Sequence, residues 1–193
     1  MSGHGFHVHG PHDHEIEHVA QHGASDGFAS KIAVMTAVLA TIGAVFGYMG
    51  GLTQANAGLF KNDAAIHKTA ASDQWNYYQS KSSKQNMAEL AMDLTSNEEA
   101  KAKYKEKIAR YEKEKAEIKL AAEKLEHESE EWNEKSDHQL HEHHRWAQAT
   151  TALQVAIAMA AITLLTKKKW MEHLTIAAGL IGIGLGVAAW MHY

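Results

Sequence analysis

The stretch WAQATTALQVAIAMAAITLLTKKKW, Trp146 to Trp170, decides the fold. From Trp146 to Thr166 it holds no charged residue, and it lies between Arg145 and Lys167. A bilayer core of ~30 Å is crossed by a helix of about 20 apolar residues. The stretch therefore predicts a transmembrane helix over 146–166 rather than a helix inside a soluble core. Working outward, LTIAAGLIGIGLGVAAWM (Leu174 to Met191) predicts a further span, with Trp190 and Tyr193 as interfacial anchors. Upstream, no charge falls between Lys31 and Lys61, and the apolar run from Ile32 to Leu52 predicts the first span over 29–52.

Lys167, Lys168 and Lys169 fill the turn expected over 167–173, and short basic loops stay cytoplasmic. Three spans then predict a cytoplasmic N-terminus and a periplasmic middle region, in a multi-pass protein of the bacterial inner membrane. Lys31 agrees with that orientation, whereas Lys61 and Lys68 pull against it. The opening residues are acidic and rich in histidine, unlike a cleavable signal, so the first span reads as a retained anchor. Pro11 is the one proline, which leaves long helices uninterrupted, and the absence of cysteine excludes disulfides and thiolate chemistry. A formal charge of −4 leaves no nucleic-acid footprint. Protonating all 15 histidines would add 15 to −4 and give +11, so acid would change this surface substantially.

The middle region, 53–145, is interrupted once, at DLTSNEEAKAKY. Ser96 with Glu99 fits a capping box, which predicts a turn near 95–97 between two helical arms. The fold class expected is an all-α membrane protein, with a long antiparallel helical hairpin, a coiled coil, between spans one and two. Such a hairpin would reach ~65 Å. The returning arm has a 4-3 spacing through Tyr104, Ile108, Tyr111, Lys115, Ile118, Ala122, Leu125, Ser129 and Trp132. The outgoing arm is poorer: Leu59, Ile66, Ala70, Tyr77, Met87, Ala91 and Leu94 fit, but Asp63, Asp73 and Lys84 share their register. A seam of that quality predicts further subunits or a partner covering it.

Within the outgoing arm, AASDQWNYYQSKSSKQN (Ala70 to Asn86) gathers Trp75, Tyr77 and Tyr78 among polar residues. Helical continuation places Trp75 ~35 Å beyond span one, too far for an aromatic belt at the bilayer surface. The plainer reading is helix–helix contact, with Tyr77 in the seam and Trp75 and Tyr78 on an adjoining face. The other is a ligand or partner site. Tyr104, Tyr111 and Trp132 complete the expected interaction set.

Three strings bear a family likeness. NDAAIHKTAASDQWNYYQSKSSKQNMAELA (62–91), GGLTQANAG (50–58) and ATTALQVAIAMAAITLLTKKKW (149–170) together resemble a family of bacterial membrane proteins known as domain of unknown function 4337. The likeness extends over roughly Ala29 to Ala188. It implies one N-terminal span, a charged helical middle and two closely spaced C-terminal spans, and it implies no activity. The HVHGPHDH start is richer in histidine than the resemblance leads one to expect.

That start frames the chemical candidates. His14 to His18 reads HEIEH, formally the H-E-x-x-H of zinc peptidases, but histidines crowd the whole segment and no clear third ligand follows. On a helix His14, His18 and His22 line one face, a set suited to zinc, copper or nickel as a divalent cofactor. A solvated tail or short interfacial helix over 1–28 is the plainer alternative. A second group, His138, His141 and Glu142 with His143 and His144, precedes span two. No ionisable residue lies inside the three spans to link the groups, which argues against a pump.

Small residues recur at i, i+4, i+8 in every span: Gly43, Gly47, Gly51; Ala152, Ala156, Ala160; and Ala178, Gly182, Gly186. Such faces let helices approach closely, within one chain or between subunits, and Gln148 and Gln154 could add hydrogen bonds between helices. Function is then expected to be structural or accessory, without catalysis. The partners expected are the bilayer and either copies of the chain or a larger membrane complex. The rival is a metal- or pH-responsive protein, channel-like as an oligomer.

Overall fold

The computed structural model describes residues 27–191, and there are no strands among them. His14, His18 and His22 lie outside the described residues. Three helices make up the fold: α1, Gly27–Leu94; α2, Glu98–Thr166; and α3, Lys169–Trp190. Each is long and apolar enough to cross a membrane. Within the apolar segments the threonines satisfy themselves. Thr36 and Thr41 donate to the Ile32 and Ala37 carbonyls, and Thr150, Thr151 and Thr163 to those of Trp146, Ala147 and Met159. Their hydroxyls thus need no water, as a hydrocarbon surround requires.

Between α1 and α2 the cap differs from the expected Ser96–Glu99 box. Asn97 Oδ1 accepts from the backbone N–H of Glu99 at 2.9 Å and of Ala100 at 3.2 Å. Asn97 is therefore the N-cap, its side-chain oxygen accepting from two of the four orphan donors of the first turn. Glu98 and Glu99 follow, where the helix dipole favours acids.

Between α2 and α3 only residues 167 and 168 lie outside helix, so the basic turn is shorter than the 167–173 expected. Lys167 has a φ of 53°, and its N–H donates to the Thr163 carbonyl at 2.9 Å. The left-handed conformation crowds a Cβ, and glycine escapes that cost. Lys167→Gly is expected to stabilise the fold by about 1 kcal/mol. Its measure is a higher thermal midpoint in detergent, and an unchanged or lower midpoint counts against it.

The described residues divide into two compact units, 27–51 with 142–191, and Leu52–His141. In the first, Leu39, Leu153 and Ala156 form a buried cluster against which Met35, Ile42, Phe46, Ile157, Ala178 and Ile183 pack. Phe46 and Trp146 meet with ring centroids 5.3 Å apart. His143 Nδ1–H donates to the Gly50 carbonyl at 2.8 Å, which fixes the proton on that nitrogen because a carbonyl only accepts. Outward, Val34, Val38, Val155, Leu165, Leu180 and Ile181 are exposed. That is the surface hydrocarbon would cover. Because α3 starts at Lys169, Glu172 falls inside this helix, where it is buried and ion-paired with Lys31.

In the second unit the contacts pair rising numbers on α1 with falling numbers on α2. Ser136 Oγ donates to the Ala57 carbonyl and Ser129 Oγ to the Ala64 carbonyl, each at 2.8 Å. Phe60 meets Trp132 at 5.6 Å, His67 meets Glu128 at 3.1 Å, and Lys81 meets Glu114 at 2.7 Å. On α2 every position from Tyr104 to Trp132 in the expected spacing is buried or half-buried.

On α1 the packed register is displaced by one residue from the expected one. Phe60, Ala64, His67, Ala71, Gln74, Tyr78, Lys81, Gln85 and Ala88 are buried or half-buried. Leu59, Ile66, Tyr77, Met87 and Leu94 are exposed, at 62, 57, 49, 70 and 77%. One residue turns a helix by about 100°. The physical reason is closeness: the two serine bonds to backbone carbonyls need small residues beneath them, and Ala57, Ala64 and Ala71 supply these every seventh position. Larger apolar side chains there would hold the helices apart.

Candidate interaction site

The densest side-chain cluster of the second unit lies in the tyrosine-bearing stretch itself. The rotation just described puts Tyr78, not Tyr77, in the seam, with Lys115 Nζ 5.5 Å from the centre of its ring. Tyr77 stands on the outside with Lys81 Nζ 5.0 Å from its ring centre, and Lys81 also reaches Tyr111 at 5.7 Å. Trp75 is half-buried and meets the edge of Tyr78 at 5.7 Å. Cations thus lie over three of the four aromatic rings gathered here, those of Tyr77, Tyr78 and Tyr111, a favourable placement for Lys and Arg. Elsewhere on α2, Tyr104 carries Lys107 at 5.6 Å, and Trp132 carries Lys135 at 4.1 Å besides its contact with Phe60.

Lys81 is the centre of this cluster. The Glu114 carboxylate beside it holds the ammonium above its ordinary range, with Tyr77 adding to the effect. The Lys81 ammonium in turn holds the Glu114 carboxyl below the ordinary carboxylate range. The contribution of Glu114 is therefore present above its unfolded value of about 4.3 and lost as pH falls through the lowered folded value. That of Lys81 is present below about 10.4 and lost as pH rises through its raised folded value. Helix melting followed from neutral pH down to about pH 3 should show stability falling faster in the wild type than in Glu114→Gln. Parallel profiles would contradict the assignment.

Gln85 adds a polar feature. Its amide donates to Glu89 at 2.8 Å, while Gln85 Oε1 is buried with no hydrogen-bonding partner among the described residues. A polar group at a seam position lowers stability and fixes register and partner choice. The Lys81–Glu114 pair thus ties the two helices in one alignment.

The second histidine group sits on α2, with His138 and His141 exposed and Glu142 half-buried. No set of three or more His, Asp or Glu among the described residues is gathered so as to hold a metal ion. The small-residue faces divide. Ala156, Ala160, Gly182 and Gly186 are buried inside the first unit, with Ala152 and Ala178 half-buried. A Cβ on Gly182 would lie 2.8 Å from Leu153 Cδ2 and 3.0 Å from its backbone nitrogen, and one on Gly186 would enter the Phe46 ring. Gly43 lies against Leu153, whereas Gly47 and Gly51 are exposed with open space around them.

A family model described as a domain of unknown function (DUF4337) matches residues 28–192. The chain belongs to this family. The DUF4337 match takes in all three helices almost from end to end. Comparison with curated proteins and with solved structures gave no match.

Sequence reasoning missed Lys81, Glu114, Gln85 and Phe60, and the signal for them was available. Ala57, Ala64 and Ala71 on one helix, with Ala122, Ser129 and Ser136 on the other, repeat every seven residues. Choosing the register by side-chain size rather than by this repeat moved every outgoing position by one.

Proposed function

We propose that this chain is a structural or accessory protein of the bacterial inner membrane that works by assembling, without catalysis of its own. In this reading three spans anchor an antiparallel hairpin, a two-helix coiled coil, with the N-terminus cytoplasmic and the hairpin periplasmic. The opposed contact order of the second unit supports the hairpin, and the basic pair Lys167–Lys168 between α2 and α3 supports the orientation.

One observation carries the functional reading. The outgoing helix packs its alanines and polar residues against α2 and leaves Leu59, Ile66, Met87 and Leu94 exposed at heptad spacing. Exposed apolar side chains arranged in a stripe mark an interaction surface, where scattered ones need no explanation. Asp73 and Ser80 hold the two remaining positions of that spacing.

The test is a double substitution on that stripe, Leu59→Asp with Ile66→Asp, in the detergent-solubilised full chain. Both residues are exposed, so helix content should be retained by circular dichroism while the particle falls to a single chain in sedimentation equilibrium. An assembly unchanged by the two aspartates would overturn the reading.

A further inference from the structure

The exposed stripe of α1 also specifies what it binds. Copies inserted in one bilayer with one topology carry their α1 helices in the same direction. A neighbour can then offer α1 in parallel or α2 in antiparallel. In register, the parallel choice sets Asp63, Asp73 and Lys84 each against its own copy, three like-charged layers. Such layers are destabilising.

The antiparallel choice has a matching surface. Along α1 the side next to the seam runs Ile66, Ala70, Asp73, Tyr77, with steps of four, three and four; Ile66, Asp73 and Tyr77 are exposed and Ala70 is half-buried. The side of α2 turned away from its own α1 seam runs Leu120, Ala116, Lys113, Ala109 with the same steps in reverse. Laid together, these give an apolar layer, a small layer, an acid–base layer and a large-on-small layer. Ile66 and Leu120 are 57 and 71% exposed, and no contact within the described chain covers either. Asp73 and Lys113 have no ion-pair partner among the described residues, although Arg110, Lys119 and Lys124 along the same helix are paired with acids one turn on. The match ends at Asp63, which falls opposite Glu123 and so limits how far the helices overlap.

We propose that α1 of each chain receives α2 of a second copy in antiparallel, with Asp73 facing Lys113 and Ile66 facing Leu120. The proposal rests on the assembling role argued above and names the partner and register of that surface. The contact is heterologous, one face meeting a different face. Its register stands one heptad from intrachain pairs such as Ala64 with Ser129, about 10 Å along the axis, so copies in one bilayer meet this way only with their hairpins leaning against one another.

The absence of cysteine makes the register directly readable. Ala70 and Ala116 face each other in the proposed layers, and each takes a small cysteine side chain. Full-length Ala70→Cys/Ala116→Cys protein, oxidised in its membrane, should give a ladder of disulfide-linked dimers, trimers and larger species. A mixture of the two single variants should stop at dimers, and neither single variant alone should link. In parallel, Asp73→Lys or Lys113→Glu should weaken assembly at least about tenfold, and the combined exchange should restore it. Linking by Ala70→Cys alone would replace this register with the parallel one and leave the assembling role standing. So would intact assembly with no cross-link between the two positions and no charge rescue. A wild-type chain that sediments as a monomer would remove the proposal and the role together.

Discussion

Gly182→Ala is expected to destabilise the three-helix unit by about 1–3 kcal/mol, the usual cost of forcing a methyl into a close contact. The added Cβ would lie 2.8 Å from Leu153 Cδ2, which could rotate away, but also 3.0 Å from the Leu153 backbone nitrogen, which cannot without moving α2. Leu153 is fully buried and anchors the cluster with Leu39 and Ala156, so the displacement would be felt across the unit. Gly184→Ala is the control. A Cβ there meets nothing within 4 Å, and the gain in helix propensity should stabilise by up to about 1 kcal/mol. Thermal unfolding of the two variants in one detergent checks the pair. Equal midpoints would mean that α3 does not approach α2 closely at Gly182.

The second large effect is expected at Ala71→Leu. Ala71 is 1% exposed and Ala122 is fully buried, both at seam positions of the second unit. Three extra carbons there have nowhere to go, and overpacking of this kind is expected to cost about 3 kcal/mol. The neighbouring register makes the opposite prediction. If Ile66 and Ala70 formed the seam, Ile66→Ala would be the costly change and Ala71→Leu would be tolerated. With Ile66 exposed, Ile66→Ala should alter the stability of the single chain by less than about 0.5 kcal/mol and show itself only in assembly. Loss of helical signal on heating distinguishes the two.

The three long apolar helices were legible because runs of about twenty uncharged, mostly apolar residues have few other uses, and the stretch ending in three lysines also located the α2–α3 turn. The returning register, Tyr104 to Trp132, was legible because its side chains are large and evenly spaced. The outgoing register was not, since its packed face is made of alanines, Gln74, Lys81 and Gln85, residues that a count of apolar side chains passes over. Tyr77 and Tyr78 show the consequence most clearly. They are adjacent in sequence and identical in chemistry, and only the small residues beneath the seam determine which of them faces α2. The glycines and alanines of the spans were visible, but their spacing alone could not tell faces used within the chain, such as Gly182 and Gly186, from outward ones, such as Gly47 and Gly51.

Native mass spectrometry of the protein, extracted from its host membrane in mild detergent, tests the central claim most directly. An assembling scaffold should be released as an integer multiple of the chain mass, alone or with further subunits attached. A single chain of unmodified mass under conditions that preserve known membrane complexes would contradict it.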